Sequence, residues 1–185
     1  MWNIPNALSL IRLALAAGVG LCIEFGAFLA ALLLFIIAAG TDFLDGWWAR
    51  RFNQVTRLGR ILDPFVDKVI ITAALVALVA WPGSRIDAWM VTVILAREFL
   101  VTSIRSMIEG RGGDFSARWL GKWKMAVQCA AIIASIMLLS QRFSWSWLPA
   151  TTRVLAWTAV LITVASGIDY VAQARRVGSS EPSDS

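Results

Sequence analysis

Residues 42–67 read DFLDGWWARRFNQVTRLGRILDPFVD, and this stretch decides the fold. It sets Asp42, Asp45, Asp63 and Asp67 at the adjoining ends of two apolar windows, Ala27–Trp48 and Ile61–Trp81. A helix that crosses a bilayer needs about 20 mostly apolar residues, and both windows meet that length. A charged side chain in hydrocarbon costs roughly 2.5–3.5 kcal/mol on insertion scales, so four carboxylates there call for compensation. Helical geometry sets positions i and i+3, or i and i+4, on one face. Asp42 and Asp45 therefore project together, about 4.5 Å apart along the axis, and Asp63 and Asp67 about 6 Å apart. The windows run in opposite directions and are joined by a loop between Trp48 and Ile61. That arrangement brings both pairs to one depth.

Four further windows flank this pair: Leu8–Ile23, Ala88–Ile108, Lys124–Leu139 and Val154–Tyr170. Gly26, Pro82-Gly83, the Gly110–Gly113 run and Pro149 fall between windows as chain breakers. The expected fold is an all-α integral membrane protein with six transmembrane helices in one bundle. One domain spans residues 1–178, and the polar residues 179–185 form a disordered tail. Composition agrees with that class. Of 185 residues, 58% are hydrophobic and 16% charged, against about a quarter charged in soluble domains. The ten Trp suit a membrane too, because Trp collects at bilayer interfaces. No internal repeat is visible.

Charge fixes the orientation. With both termini on one side, that side receives Arg50, Arg51, Arg57, Arg60, Arg111, Arg118, Lys122, Arg175 and Arg176. The other side receives Arg85, Arg142 and Arg153. The positive-inside rule puts the termini and the carboxylates on the cytoplasmic face of a bacterial-type inner membrane, in a multi-pass topology. The net charge of +5 is accounted for by these loops, so no nucleic-acid partner is expected. Trp47, Trp48, Trp81, Trp89, Trp119, Trp123, Trp145 and Trp147 lie at window ends and read as an anchoring belt. Met1–Leu15 lacks a charged start and carries Arg12 within its apolar run, so it does not read as a secretory leader. The chain has no His, which removes imidazole bases, His-dependent triads and His-ligated metals. Cys22 and Cys129 are isolated in apolar stretches and read as packing.

Four ionised carboxylates at short range repel one another unless cations intervene. Oxygen-only ligands favour hard ions, so Mg²⁺ or Mn²⁺, as a pair about 3.5–4 Å apart, is the natural occupant. The competing reading, ion pairs with Arg50, Arg60 and Lys68, serves any single Asp better than all four. Gly46, Ala49 and Gly59 keep the same region small. Small residues let helices pack, and beside four carboxylates and Arg50 they equally open a pocket for a phosphorylated ligand. Pro64 removes a backbone hydrogen bond beside Asp63, an irregularity tolerated at membrane depth where a cavity is lined.

The pattern Asp42-x2-Asp45-Gly46-x2-Ala49-Arg50-x8-Gly59-x3-Asp63-x3-Asp67 resembles the signature of the CDP-alcohol phosphatidyltransferases at every fixed position and spacing. The resemblance implies a six-helix membrane enzyme, usually a homodimer. It moves a phosphatidyl group from CDP-diacylglycerol to an alcohol and releases CMP. It further implies that Asp42, Asp45, Asp63 and Asp67 surround the metals, that Asp45, Gly46, Ala49, Arg50 and Gly59 bind CDP-diacylglycerol, and that Asp67 is the base for the acceptor hydroxyl.

Outside the signature the chain looks most like the glycerol-3-phosphate branch of the family. The matching pieces are Asn3-Ile4-Pro5-Asn6-x-Leu8-Ser9-x2-Arg12, Asp63-Pro64-x2-Asp67-Lys68, Arg97-Glu98-Phe99-x-Val101-x3-Arg105 and Gly121-Lys122-x-Lys124-x3-Gln128. Met125 departs from a usual Thr and Ala17 from a common Pro. A phosphorylated acceptor needs cations near the metals, and Arg97, Arg105, Lys122 and Lys124 are the candidates. Snorkelling is the plain alternative for the two lysines, and an Arg97–Glu98 pair that braces the bundle is the alternative for Arg97. Inositol phosphate, phosphatidylglycerol and serine are the other acceptors to weigh. A divalent-metal or ion-coupled transporter would hold its carboxylates near the midplane in repeated halves, which this chain lacks.

Overall fold

A computed structural model describes the backbone of residues 4–52, 57–110 and 119–178 and, within these, the side chains of 10–41, 66, 68–104, 123–172 and 174. Among the described residues six helices follow one another: α1 (Ile4–Glu24), α2 (Phe28–Phe52), α3 (Arg57–Val79), α4 (Ala88–Gly110), α5 (Trp119–Leu139) and α6 (Leu148–Gly178). No strand occurs among the described residues. The six sequence windows each fall on one helix. The expected tail, 179–185, lies outside the described residues.

The turns show why the chain reverses where it does. At the end of α1 the amide of Ala27 donates to the carbonyl of Cys22 at 2.7 Å, and Gly26 donates to Ile23 at 3.0 Å. These are the two bonds of a Schellman cap, which needs a left-handed residue, and Gly26 supplies it with a φ of 72°. The indole of Trp81 stands 3.5 Å from where a Cβ on Gly26 would lie, so the α1–α2 turn is also packed against the end of α3. Pro82-Gly83 and the left-handed Arg85 carry the chain from α3 to α4. Ser84 is buried in that turn, and its carbonyl accepts from Ser135 of α5 at 2.7 Å.

Cross-helix pairs give the directions. Gly20 approaches Ala73, and Gly26 approaches Trp81, so α1 and α3 run parallel. Trp89 meets Trp157 at a centroid distance of 5.2 Å, and Arg97 bonds Ser166, so α4 and α6 run parallel as well. The odd helices run one way and the even ones the other. The core between them is built from small and branched side chains: Ala16, Val19 and Ile23 of α1, Phe35 of α2, Ala74 and Leu78 of α3, Ile132 and Ile136 of α5. Within this core α1 packs on both α2 and α3, whereas α2 and α3 meet only sparingly among the described residues.

Two details of the sequence reading change. The helices that bear the four aspartates do not stop at Trp48 and restart at Ile61. They continue to Phe52 and begin at Arg57, leaving only residues 53–56 between them. Hydropathy marks where a helix leaves hydrocarbon, whereas Ala, Arg and Leu keep good helix propensity beyond that point. Likewise Pro149 is not a linker residue but lies in the first turn of α6. There its missing N–H is one that has no partner within the helix anyway.

The outer surface is apolar. Leu10, Ile11, Leu21, Leu33, Ile37, Phe99, Leu161 and Ile168 are all exposed, on four different helices. One helix among the described residues, Leu148–Ala172, is long and apolar enough by itself to cross a membrane, and Phe28–Thr41, Lys68–Val79 and Trp123–Leu139 form shorter apolar stretches. The Trp residues sort by end. Trp89, Trp145 and Trp147 are exposed at the end of the bundle that holds the Gly26 and Pro82 turns, and Trp123 is exposed near the other. Trp81 differs from the belt reading: it is half-buried, edge-on to Phe28 at 4.9 Å. Trp47, Trp48 and Trp119 have side chains outside the described residues.

Candidate active site

The signature occupies one end of the bundle. Asp42, Asp45, Gly46, Ala49 and Arg50 lie on the C-terminal part of α2, and Gly59, Asp63 and Asp67 on the N-terminal part of α3. Because α2 runs toward this end and α3 away from it, the two stretches share it. The side chains of these eight residues are outside the described residues. What anchors their backbone is visible. Val66 beside Asp67 is buried. Lys68 on its other flank donates through Nζ to Oγ1 of Thr102 on α4. Thr102 in turn donates to the carbonyl of Glu98 at 2.7 Å. On α1, which packs against both signature helices, Arg12 is only 3% exposed.

Glu98 is where two buried charges, Arg97 and Lys124, meet. Its Oε1 lies 3.3 Å from Nη1 of Arg97 and also accepts from Nζ of Lys124 on α5. Arg97 and Lys124 are each 8% exposed. Arg97 reaches on to α6, where Nη2 donates to Oγ of Ser166 and the guanidinium lies 5.4 Å from the centre of the Tyr170 ring. One turn beyond Lys124, Gln128 is buried and donates to Oγ1 of Thr163 at 3.1 Å. An apolar protein interior tolerates charge only when it is paired and hydrogen-bonded. This chain meets that condition by running one polar path across four helices, α3 to α4 to α5 and α6.

Of the four expected acceptor-binding cations, Arg97 and Lys124 are thus brought together through a shared carboxylate. Lys124 is not a snorkelling surface lysine. Arg97 carries the bracing contacts expected of an intramembrane Arg–Glu pair. Arg105, on α4, and Lys122, on α5, have side chains outside the described residues. The sequence pattern does not by itself mark Glu98 as a hub, nor Ser166, Tyr170 and Thr163 as its surroundings. One signal was present: Glu98 is the sole carboxylate in the window Ala88–Ile108, and Lys124 the sole charge in the next window. Lone opposite charges on successive membrane helices invite pairing.

Among the described residues no group of three or more acidic, Cys or His side chains could hold a metal. The donor set of the signature, four carboxylates in a chain without His, suits a hard cation.

Known proteins resemble this chain along nearly its whole length. The family model for CDP-alcohol phosphatidyltransferase matches residues 2–165. A Bacillus subtilis (strain 168) protein named CDP-diacylglycerol–glycerol-3-phosphate 3-phosphatidyltransferase is 39% identical, over 92% of this chain and 94% of its own. A Haemophilus influenzae protein of the same name is 31% identical over 94% of both chains. A Mycobacterium tuberculosis (strain H37Rv) protein named probable phosphatidylglycerophosphate synthase is 35% identical, over 94% of this chain and 82% of its own. With the signature on two adjoining helices and these matches covering the rest, the chain belongs to the CDP-alcohol phosphatidyltransferase family.

Proposed function

We propose that this protein transfers the phosphatidyl group of CDP-diacylglycerol to sn-glycerol 3-phosphate, releasing CMP and forming phosphatidylglycerophosphate. The observation that carries the reading is the 39% identity, over 92% of the chain, to a relative named for that reaction. The buried pair Arg97 and Lys124 supports a phosphate-bearing acceptor, since an alcohol without a phosphate, such as serine, has less need of buried cations.

The chemistry asks the protein for alignment and charge neutralisation more than for covalent participation. The acceptor hydroxyl oxygen bonds to the phosphatidyl phosphorus, the bond from that phosphorus to the CMP oxygen breaks, and the hydroxyl proton goes to Asp67. Asp42, Asp45, Asp63 and Asp67 would hold Mg²⁺ or Mn²⁺, two ions in the full site. When bound, such ions neutralise the pyrophosphate and lower the pKa of a nearby hydroxyl. Gly46, Ala49 and Gly59 leave room for the nucleotide end of CDP-diacylglycerol, and Arg50 offers a planar guanidinium to its phosphates. Arg97, Arg105, Lys122 and Lys124 would bind the acceptor's phosphate.

The same reading sets the protein in the membrane as six spans, with both termini and the signature in the cytoplasm of a bacterial-type cell, and as a homodimer. Exposed apolar side chains on four helices and the arginine-rich cytoplasmic loops support the spans and their orientation. A lipid donor then arrives sideways and a water-soluble acceptor from the cytoplasm.

The test is CMP release by the purified protein from CDP-diacylglycerol with Mg²⁺ or Mn²⁺, comparing glycerol 3-phosphate with inositol phosphate, phosphatidylglycerol and serine. Release with glycerol 3-phosphate above the others is the expected outcome. A preference for any of the other three overturns the acceptor, and no release with any acceptor overturns the enzyme.

A further inference from the structure

We propose that Glu98 is a positioning residue, which presets Lys124 and Arg97 as a single cationic pair for the phosphate of the acceptor and ties that pair to the helix bearing Asp67. The proposal rests on the glycerol 3-phosphate reading above and names a group which that reading does not use.

Three observations carry it. First, one carboxylate serves two cations from two helices, Arg97 at 3.3 Å and Lys124 through Nζ. With Glu98 neutral, two buried positive charges face each other without compensation, and the mobile one, the lysine ammonium, swings away. Second, Arg97 cannot follow it. Ser166 and the Tyr170 ring hold the guanidinium against α6. Third, the backbone carbonyl of the same Glu98 accepts from Thr102, whose hydroxyl accepts from Lys68, the residue after Asp67. A displacement of Glu98 therefore moves the phosphate-binding cations relative to the base. Glu98 carries a negative charge and so does not itself bind the acceptor phosphate; it acts through Lys124.

The variants are Glu98→Gln, which keeps shape and removes charge, Glu98→Asp, which keeps charge, Lys124→Gln, and the double Glu98→Gln/Lys124→Gln. Steady-state CMP release is measured against each substrate in turn. Loss of one charge-assisted contact corresponds to about tenfold in affinity, so Glu98→Gln is expected to raise KM for glycerol 3-phosphate by that factor and KM for CDP-diacylglycerol by less than about twofold. Glu98→Asp recovers part of the loss, and the double variant is no worse than Lys124→Gln alone. Equal rises in both KM values, a fall in kcat alone, or a double variant in which the two effects add would each remove Glu98 from this role. If Glu98→Gln does not fold, Glu98→Asp must still show the same split in KM, and a uniform loss overturns the proposal. Wild-type protein that ignores glycerol 3-phosphate takes down the acceptor reading itself, and the role of Glu98 with it.

Discussion

A Cβ placed on Gly167 of α6 would stand 3.0 Å from Cγ of Arg97 on α4, tighter than nearly all carbon contacts in proteins. The stem of Arg97 therefore occupies the space that any side chain at Gly167 would need. Small residues at membrane helix contacts allow such approach. Because Arg97 is held at its far end by Glu98, Ser166 and Tyr170, it has little freedom to retreat.

Gly167→Ala gains about 1 kcal/mol of helix propensity, and overpacking a fixed contact costs about 1–3 kcal/mol. The expected net effect is a lower melting temperature in detergent, larger for Gly167→Val. Should Gly167→Ala stabilise the protein, Arg97 is not clamped as described.

Thr102→Val keeps the shape of the side chain and removes the hydroxyl that Lys68 and the Glu98 carbonyl share. A single hydrogen bond contributes about 0.5–1.5 kcal/mol, so the stability loss is modest. Activity should fall further than stability, because Lys68 adjoins Asp67 and its anchor fixes the first half of α3. Parallel measurement of melting temperature and CMP release separates the two, and a variant with full turnover would show that this anchor does not matter to the reaction.

The fold was legible because hydropathy is a property of windows, and each of the six windows became one helix. Helix ends were less legible. Bilayer length predicts where hydrocarbon stops, whereas α2 and α3 run on through charged residues to Phe52 and from Arg57. The signature was legible because all its spacings are local, within one helix or across one turn. The Glu98 hub was not, since its partners lie far along the chain: Lys124 on the next helix, and Ser166, through Arg97, two helices on. Only the packing of α4 and α5 on α6 brings them together, and no local period encodes that.

Asp67→Asn removes the proposed proton acceptor while keeping size and polarity. General-base catalysis contributes about 10²–10⁴-fold, so turnover should fall by at least about 100-fold. Retained binding of CDP-diacylglycerol, followed by ligand-induced thermal stabilisation, distinguishes loss of the base from loss of the donor site. Unchanged turnover would move the role of base elsewhere.

Removal of divalent ions tests the oxygen-only donor set. Protein stripped with EDTA should release no CMP, and Mg²⁺ or Mn²⁺ should restore release, since six-coordinate hard cations match carboxylate ligands. Asp42→Asn and Asp63→Asn should each shift the restoring concentration upward, because each removes one anionic ligand from the proposed shared site. Full activity in EDTA would leave the four aspartates to the arginines and Lys68 as ion-pair partners.

Arg105 lies two turns beyond Glu98 on α4, nearer the signature end of the bundle. If it contacts the acceptor phosphate directly, Arg105→Ala should raise KM for glycerol 3-phosphate by about tenfold or more, the value of a charge-assisted contact. KM for CDP-diacylglycerol should change little, and Arg105→Lys should recover only part of the loss, because an ammonium cannot reproduce a two-pronged grip on phosphate. An equal effect on both substrates would assign Arg105 to the interfacial charge at the signature end of the bundle and leave Lys122 and Lys124 to hold the acceptor.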